Sequence, residues 1–219
     1  MNLRNFMILF LASFLSTSFV YADYATTKRP AKQGKPVVCA AYNKDYNVGD
    51  KGPANGWIIY KKPVASGQSE GSCWQYLEVA PVDSPTSTWS NVTDKSVGGT
   101  STGVGNGQDN TKKIIAQAGH TASAAKVCSD LVIKYNDQTF KGWFLPSRDE
   151  LDLMYQLLAK GDNKGGFVTK YNEAKNEFPW YWSSSEDDES FAWGQNFYDG
   201  LQVSLYKGVT VFVRCARAF

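Results

Sequence analysis

The sequence predicts an α+β domain in which two or three helices pack on a mainly antiparallel sheet, with long loops and two disulfides. Three observations carry this reading. Short β-branched and aromatic runs set between turn residues occur near both ends of the chain. Stretches with apolar residues three and four apart occupy its middle. A polar segment rich in Ser, Thr, Gly, Asp and Asn, residues 83–109, separates the first strands from the first helix.

Residues 1–22 read as a signal peptide. Arg4 supplies the positive start, "FMILFLASFLSTSFV" the apolar centre and Ala22 the small residue at the cleavage point, so export with cleavage before Asp23 is expected. The apolar run is short for a membrane span, and no stable span is expected after cleavage. Residues 23–36 form a flexible basic linker carrying Lys28, Arg29, Lys32 and Lys35. A single domain over 37–219 follows. Without the signal the chain keeps 197 of its 219 residues and 22 of its 23 basic residues, against 21 acidic ones. That near-neutral balance argues against a nucleic-acid partner. The expected place is secreted, periplasmic or cell-surface.

Four cysteines in an exported chain favour disulfides. Of the three pairings, Cys39 with Cys73 and Cys128 with Cys215 are preferred, each stapling one half of the domain. No C-x-x-C occurs and His120 is the single histidine, so a thiolate metal site is a poor alternative.

"PVVCAAY" and "GWIIYKK" read as strands joined by the turn-rich "NVGDKGPANG". "CWQYLEVAP" is a third strand, ended by Pro81. Trp89 is the one large anchor of the long loop. Gly103, Gly105 and Gly107 resemble a phosphate cradle, but no G-K-[ST] follows and no apolar strand leads in, so neither nucleotide fingerprint is met.

A helix is expected to begin at Asn110 as N-cap and end at Gly119, and a second over "TASAAKVCSDLVIKY", with Cys128 on its buried face. His120 lies in the joint between them. The third helix is announced by a capping box, Ser147 with Glu150, with Asp149 adding charge to the first turn. Leu151, Met154, Tyr155 and Leu158 line its apolar face as far as Gly161.

The last third reads as an antiparallel meander. Asp199-Gly200 and Lys207-Gly208 are the hairpin turns, and Val209, Val211, Val213 and Cys215 share one face of the last strand. Cys215 then points inward, as Cys128 does.

Taken in order, "VGDKGPANGWIIY", "YLEVAP", "GVGNGQDNT", "AAKVCSDL", "GWFLPSRDELDLMY", "YWSSSE", "AWGQNFYDGLQ" and "VRCARAF" resemble the Lcl C-terminal domain family from about Val48 to Phe219. The resemblance implies a C-type-lectin-like fold, related to sulfatase-modifying factors, and an exported bacterial protein. The family takes its name from a surface adhesin that recognises sulfated polysaccharide, which implies glycan binding here. This chain lacks that adhesin's collagen-like repeat and any basic excess that would favour sulfate.

The expected function is therefore a non-enzymatic binding or adhesion module for a glycan or other extracellular surface component. Alternatives are a structural or oligomerising envelope protein without small ligand, or an extracellular hydrolase or oxidase. Catalytic residues are not assigned: His120 has no neighbouring nucleophile motif, and Glu186 with Asp149 or Glu150 would have to be brought together to cleave a glycoside. Candidate ligand contacts are Trp182, Glu186, Trp193, Asn196 and Tyr198. No cofactor is expected, with Ca²⁺ at Glu186, Asp187, Asp188 and Glu189 the alternative. Ser147, Glu150, Arg148 and Arg214 are assigned structural roles, and Glu186 is expected to pair with Arg214 or Arg148. Partners are an extracellular glycan or surface protein, with a homo-oligomer as a further option.

Overall fold

The computed structural model describes residues 44–63, 74–175 and 177–219. The signal segment, the linker, the strand at 36–42 and the Cys39–Cys73 pair lie outside them.

Over the described residues the chain is α+β, with three α-helices and mostly antiparallel strands. A four-stranded sheet is built from β1 (Trp57–Lys61), β2 (Tyr76–Val79), β6 (Trp143–Phe144) and β11 (Ala216–Ala218), in the order β1-β2-β11-β6. A five-stranded sheet holds β3 (Ser84–Ser87), β7 (Trp180–Glu186), β8 (Phe191–Asn196), β9 (Gln202–Tyr206) and β10 (Val211–Val213), in the order β3-β10-β7-β8-β9. A small hairpin of β4 (Ile133–Tyr135) and β5 (Gln138–Phe140) stands apart.

The last apolar run is two strands where one was expected. β10 joins the five-stranded sheet and β11 the four-stranded one. Arg214 and Cys215 sit at the switch, both without exposed surface. Arg214 is held there by Asp83, 2.5 Å from its Nε, and by the carbonyls of Ala80, Gly165 and Gly166. A guanidinium carries five N–H donors, and burying it takes several acceptors. β10 also runs parallel to β7, with Phe212 opposite Tyr181, so the expected meander ends at β9. Lys207 turns its side chain inward at the proposed hairpin corner, and the chain then passes from β9 at one edge of the sheet to β10 beside β7.

Helix α1 is Gly107–Ala116 and α2 is Ala124–Asp130. Both depart from their expected bounds. α1 starts four residues early, with Asn106 in place of Asn110 as N-cap, and Asn110 is instead buried against Ser101 and Ser184. α2 stops before the β-branched "VI", whose Ile133 opens β4; Asn136 and Asp137, both at positive φ, make the hairpin turn. The Cys128–Cys215 disulfide is formed as expected, tying α2 to the strand switch.

The third helix, α3 (Arg148–Met154), has the predicted capping box and continues as a π turn over Tyr155–Ala159. Leu151, Met154, Tyr155 and Leu158 are buried, as the spacing requires. They pack with Leu77, Phe144, Tyr181 and Phe197 in one apolar cluster, while α1 and α2 pack with Trp89, Trp143, Trp182 and Val213 in another.

Two buried glutamates organise the loops around this frame. Glu78 on β2 accepts hydrogen bonds from the amides of Ala54 and Gly56, and from Arg217 at 2.6 Å. A side chain at Gly52 or Gly56 would collide with it. Glu150 on α3 accepts from the amides of Gly105 at 2.7 Å and Ser147 at 2.8 Å. The amide of Gly107, at the start of α1, also donates to it. The loop that resembled a phosphate cradle thus does cradle an anion, and the anion is the chain's own carboxylate. Glu150 takes the positive ends of two helices at once. Burial nevertheless pushes its pKa up, against the pull of those amides.

Candidate functional site

The stretch "WSSSE" on β7 is a bulge. Trp182 lies opposite Gly194 and Glu186 opposite Ala192, so four residues of β7 span the distance of two on β8. Serine suits this place because a short hydroxyl can satisfy itself on nearby backbone. Ser183, Ser184 and Ser185 are all buried. The Ser183 hydroxyl donates to the Trp193 carbonyl at 2.7 Å, and the Ser185 hydroxyl to the Ser101 carbonyl at 2.9 Å. Ser184 accepts from Asn110, and Ser185 from the Arg148 amide. The serines therefore act as ties between β8, the long loop, α1 and α3.

Glu186 closes the same seam. Its carboxylate accepts from the amides of Val97 and Gly98, from Ser96, and from Lys207 at 2.7 Å. This corrects the expected pairing with Arg214 or Arg148. Arg214 is taken by Asp83, and Arg148 contacts Asp149. Lys207 belongs to the Lys207-Gly208 turn, yet its side chain is wholly buried and lies 5.0 Å over the Trp89 ring. Its remaining hydrogen bonds go to the carbonyls of Lys95 and Glu189. Burial alone would raise the Glu186 pKa, but the hydrogen bonds from Lys207, Ser96, Val97 and Gly98 outweigh it and hold the pKa below the ordinary value.

The neighbouring acids do not gather on one point. Asp187 accepts from the Ser204 hydroxyl, and one Asp188 oxygen accepts from the amides of Ser190 and Phe191. Among the described residues no group of three or more His, Cys, Asp or Glu side chains is arranged to hold a metal ion. Glu150 and Glu186 are each enclosed by their own donors, so neither offers a free carboxylate to a substrate. His120 lies 2.8 Å from the Ser123 hydroxyl, which caps α2. Among the described residues no carboxylate hydrogen-bonds that ring, and burial followed by the nearby Lys126 charge lowers its pKa.

The predicted ligand contacts separate by face. In the β8–β9 pairing Phe191 lies opposite Tyr206, Trp193 opposite Ser204 and Gln195 opposite Gln202, so these six side chains share one face. Trp182, opposite Gly194, is on the other. It has no exposed surface and donates its indole N–H to the Ser87 carbonyl, which makes it core where a ligand contact was expected. Asn196 accepts from the Tyr198 amide within a turn, and Tyr198 is 71% exposed at the tip.

On the shared face, α3 covers one end: Gln195 donates to Asp152, and Gln202 to the Arg148 carbonyl. The other end is open. There Trp193 is half buried beneath the Arg148 guanidinium, 5.0 Å from its ring centre, with Phe191, Ser204, Tyr206 and Asp187 around it. Phe191, Arg148 and Ser204 were not among the expected ligand contacts. Their signal is the alternation F-x-W-x-Q against Q-x-S-x-Y, which is visible only once the register is known.

No helix of the described residues is long and apolar enough to cross a membrane. A comparison with protein-family models matches none, and a comparison with curated proteins finds no relative.

Proposed function

We propose that this chain is a non-catalytic binding module of an exported protein, and that it grips a glycan or another extracellular surface component with the open end of the β8–β9 face. One observation carries the reading. Trp193 offers a ring braced by Arg148, with Ser204, Asp187 and the flanking rings of Phe191 and Tyr206 within the same face. Aromatic faces stack on the apolar side of a sugar ring while neighbouring hydroxyls and carboxylates take its polar edge. Against catalysis stands the commitment of the three serines and of Glu150 and Glu186 to holding loops.

The ordered likeness to the Lcl C-terminal domain supports the same reading, and with it a C-type-lectin-like arrangement and a secreted, periplasmic or cell-surface place. The test is a glycan array run with and without EDTA, on the chain and on its Trp193→Ala variant. Hits insensitive to EDTA and lost in Trp193→Ala support the proposal. Hits lost in EDTA would move the site to a metal, and hits retained in Trp193→Ala would overturn it.

A further inference from the structure

We infer that the free edge of β9 is a docking edge for an extended, basic segment of another protein, which would add to the five-stranded sheet as a sixth strand. The outer strands of the two larger sheets are not treated alike. β1 carries Lys61, with Lys62 beside it; β3 contains Pro85; β6 is two residues long. Each of these devices discourages pairing at an edge. β9 has none of them, and no Lys or Arg occurs from Phe191 to Tyr206. Lys207, next in sequence, is buried on Glu186.

The backbone of β9 is available. The Leu201 carbonyl accepts from the Asn196 amide and the Lys207 amide donates to the Ser190 carbonyl, so the odd-numbered residues face β8. By the alternation of an antiparallel ladder, the N–H and C=O of Gln202 and Ser204 and the N–H of Tyr206 point the other way. Among the described residues no strand pairs with that side. Leu201, Tyr206, Phe191, Val209 and Tyr198 are exposed around it, at 55, 46, 39, 39 and 71%.

Charge selects the occupant. Asp187 reaches Ser204 in the middle of β9, Asp188 and Glu189 are exposed beside its Tyr206 end, and Asp199 is exposed at the other. A second copy pairing antiparallel through β9 would bring acid to acid. A segment with Lys or Arg opposite Ser204 and apolar residues beside Tyr206 meets both the carboxylates and the rings.

The probe is an acetylated eight-residue peptide in which Lys alternates with Val and Tyr, followed by fluorescence anisotropy on the chain. Micromolar binding is expected, at least about tenfold tighter than that of the same peptide with Glu for Lys, and lost when alternate peptide amides are methylated. Ser204→Pro removes an outward N–H and no β8 bond, so it should abolish binding with an unchanged circular dichroism spectrum. Should that variant not fold, Ser204→Lys, a charged guard on the edge, is expected to weaken the Lys peptide by at least about tenfold. Equal binding of the Lys and Glu peptides, binding that survives amide methylation, or no binding at all would overturn the inference. So would a dimer in light scattering that Ser204→Pro dissolves, since that would assign the edge to a second copy.

Discussion

The ammonium of Lys207 lies 2.7 Å from a carboxylate oxygen of Glu186, and the two side chains are 0 and 5% exposed. The pair binds the end of β7, the turn before β8, and the loop at 95–98 into one unit. A buried pair is costly to break from one side, because the remaining charge stays in a dry place. Lys207→Met should therefore lower the free energy of unfolding by about 3 to 5 kcal/mol. Glu186→Gln should cost less, since its amide oxygen can still accept from Lys207. Urea denaturation midpoints on both variants and on the double variant check this; a double-variant loss equal to the sum of the two single losses would show that the pair itself contributes little.

The two glutamates should respond to pH in opposite directions. Glu186 has its folded pKa below the ordinary 4.5, so the stability it contributes is present above that value and lost as the pH falls through the folded pKa. Glu150 has its folded pKa above 4.5, so its contribution is present below 4.5 and lost as the pH rises through the folded pKa. Melting temperatures from pH 3 to 8 should show the wild type losing more than Glu186→Gln on acidification. A constant offset between the two curves would contradict it.

Glu150→Gln removes a buried charge and should still destabilise. The carboxylate faces only donors, the amides of Gly105, Gly107 and Ser147, and one half of a glutamine amide would present N–H to N–H there. A loss of about 2 kcal/mol is expected, the cost of buried donors left without acceptors. Gly107→Ala should do as much by steric means, because its Cβ would meet Glu150, Phe144 and the Leu145 carbonyl. Gly98, at φ +71 with open space around it, should cost about 1 kcal/mol on mutation to Ala, from backbone strain alone. Calorimetry on the three variants orders them.

Trp182 and Trp193, eleven residues apart, should divide stability from binding. Trp182→Ala removes a wholly buried ring and should cost about 3 to 5 kcal/mol. Trp193→Ala should cost less than half of that while abolishing retention on any glycan the chain recognises. Comparable stability losses in both would show that Trp193 is core as well.

How much of this was legible beforehand differs from element to element. The capping box at Ser147 and Glu150 and the apolar face behind it were plain, because cap and core lie within one turn of each other. The Cys128–Cys215 pair followed from inward faces on a helix and a strand. The partner of Glu186 did not follow, because Lys207 comes near it only when β9 folds back along β8. The roles of Gly105 and Gly107 were likewise out of reach. A glycine-rich loop shows that backbone amides are exposed for an anion, but nothing local shows that the anion is Glu150, more than forty residues on.

The sequence by itself determined the class of the domain, the capping box of the third helix, the one described disulfide and the aromatic content of the C-terminal strands, since all of these rest on local propensity and period. Only the tertiary structure decided that the final run divides between two sheets, that three serines and three glutamates are spent on loops, and that Trp193 is available on the surface where Trp182 is not. The reason is that a polar group becomes a tie or a site according to which distant donors and acceptors enclose it, and those neighbours are assembled by long-range packing.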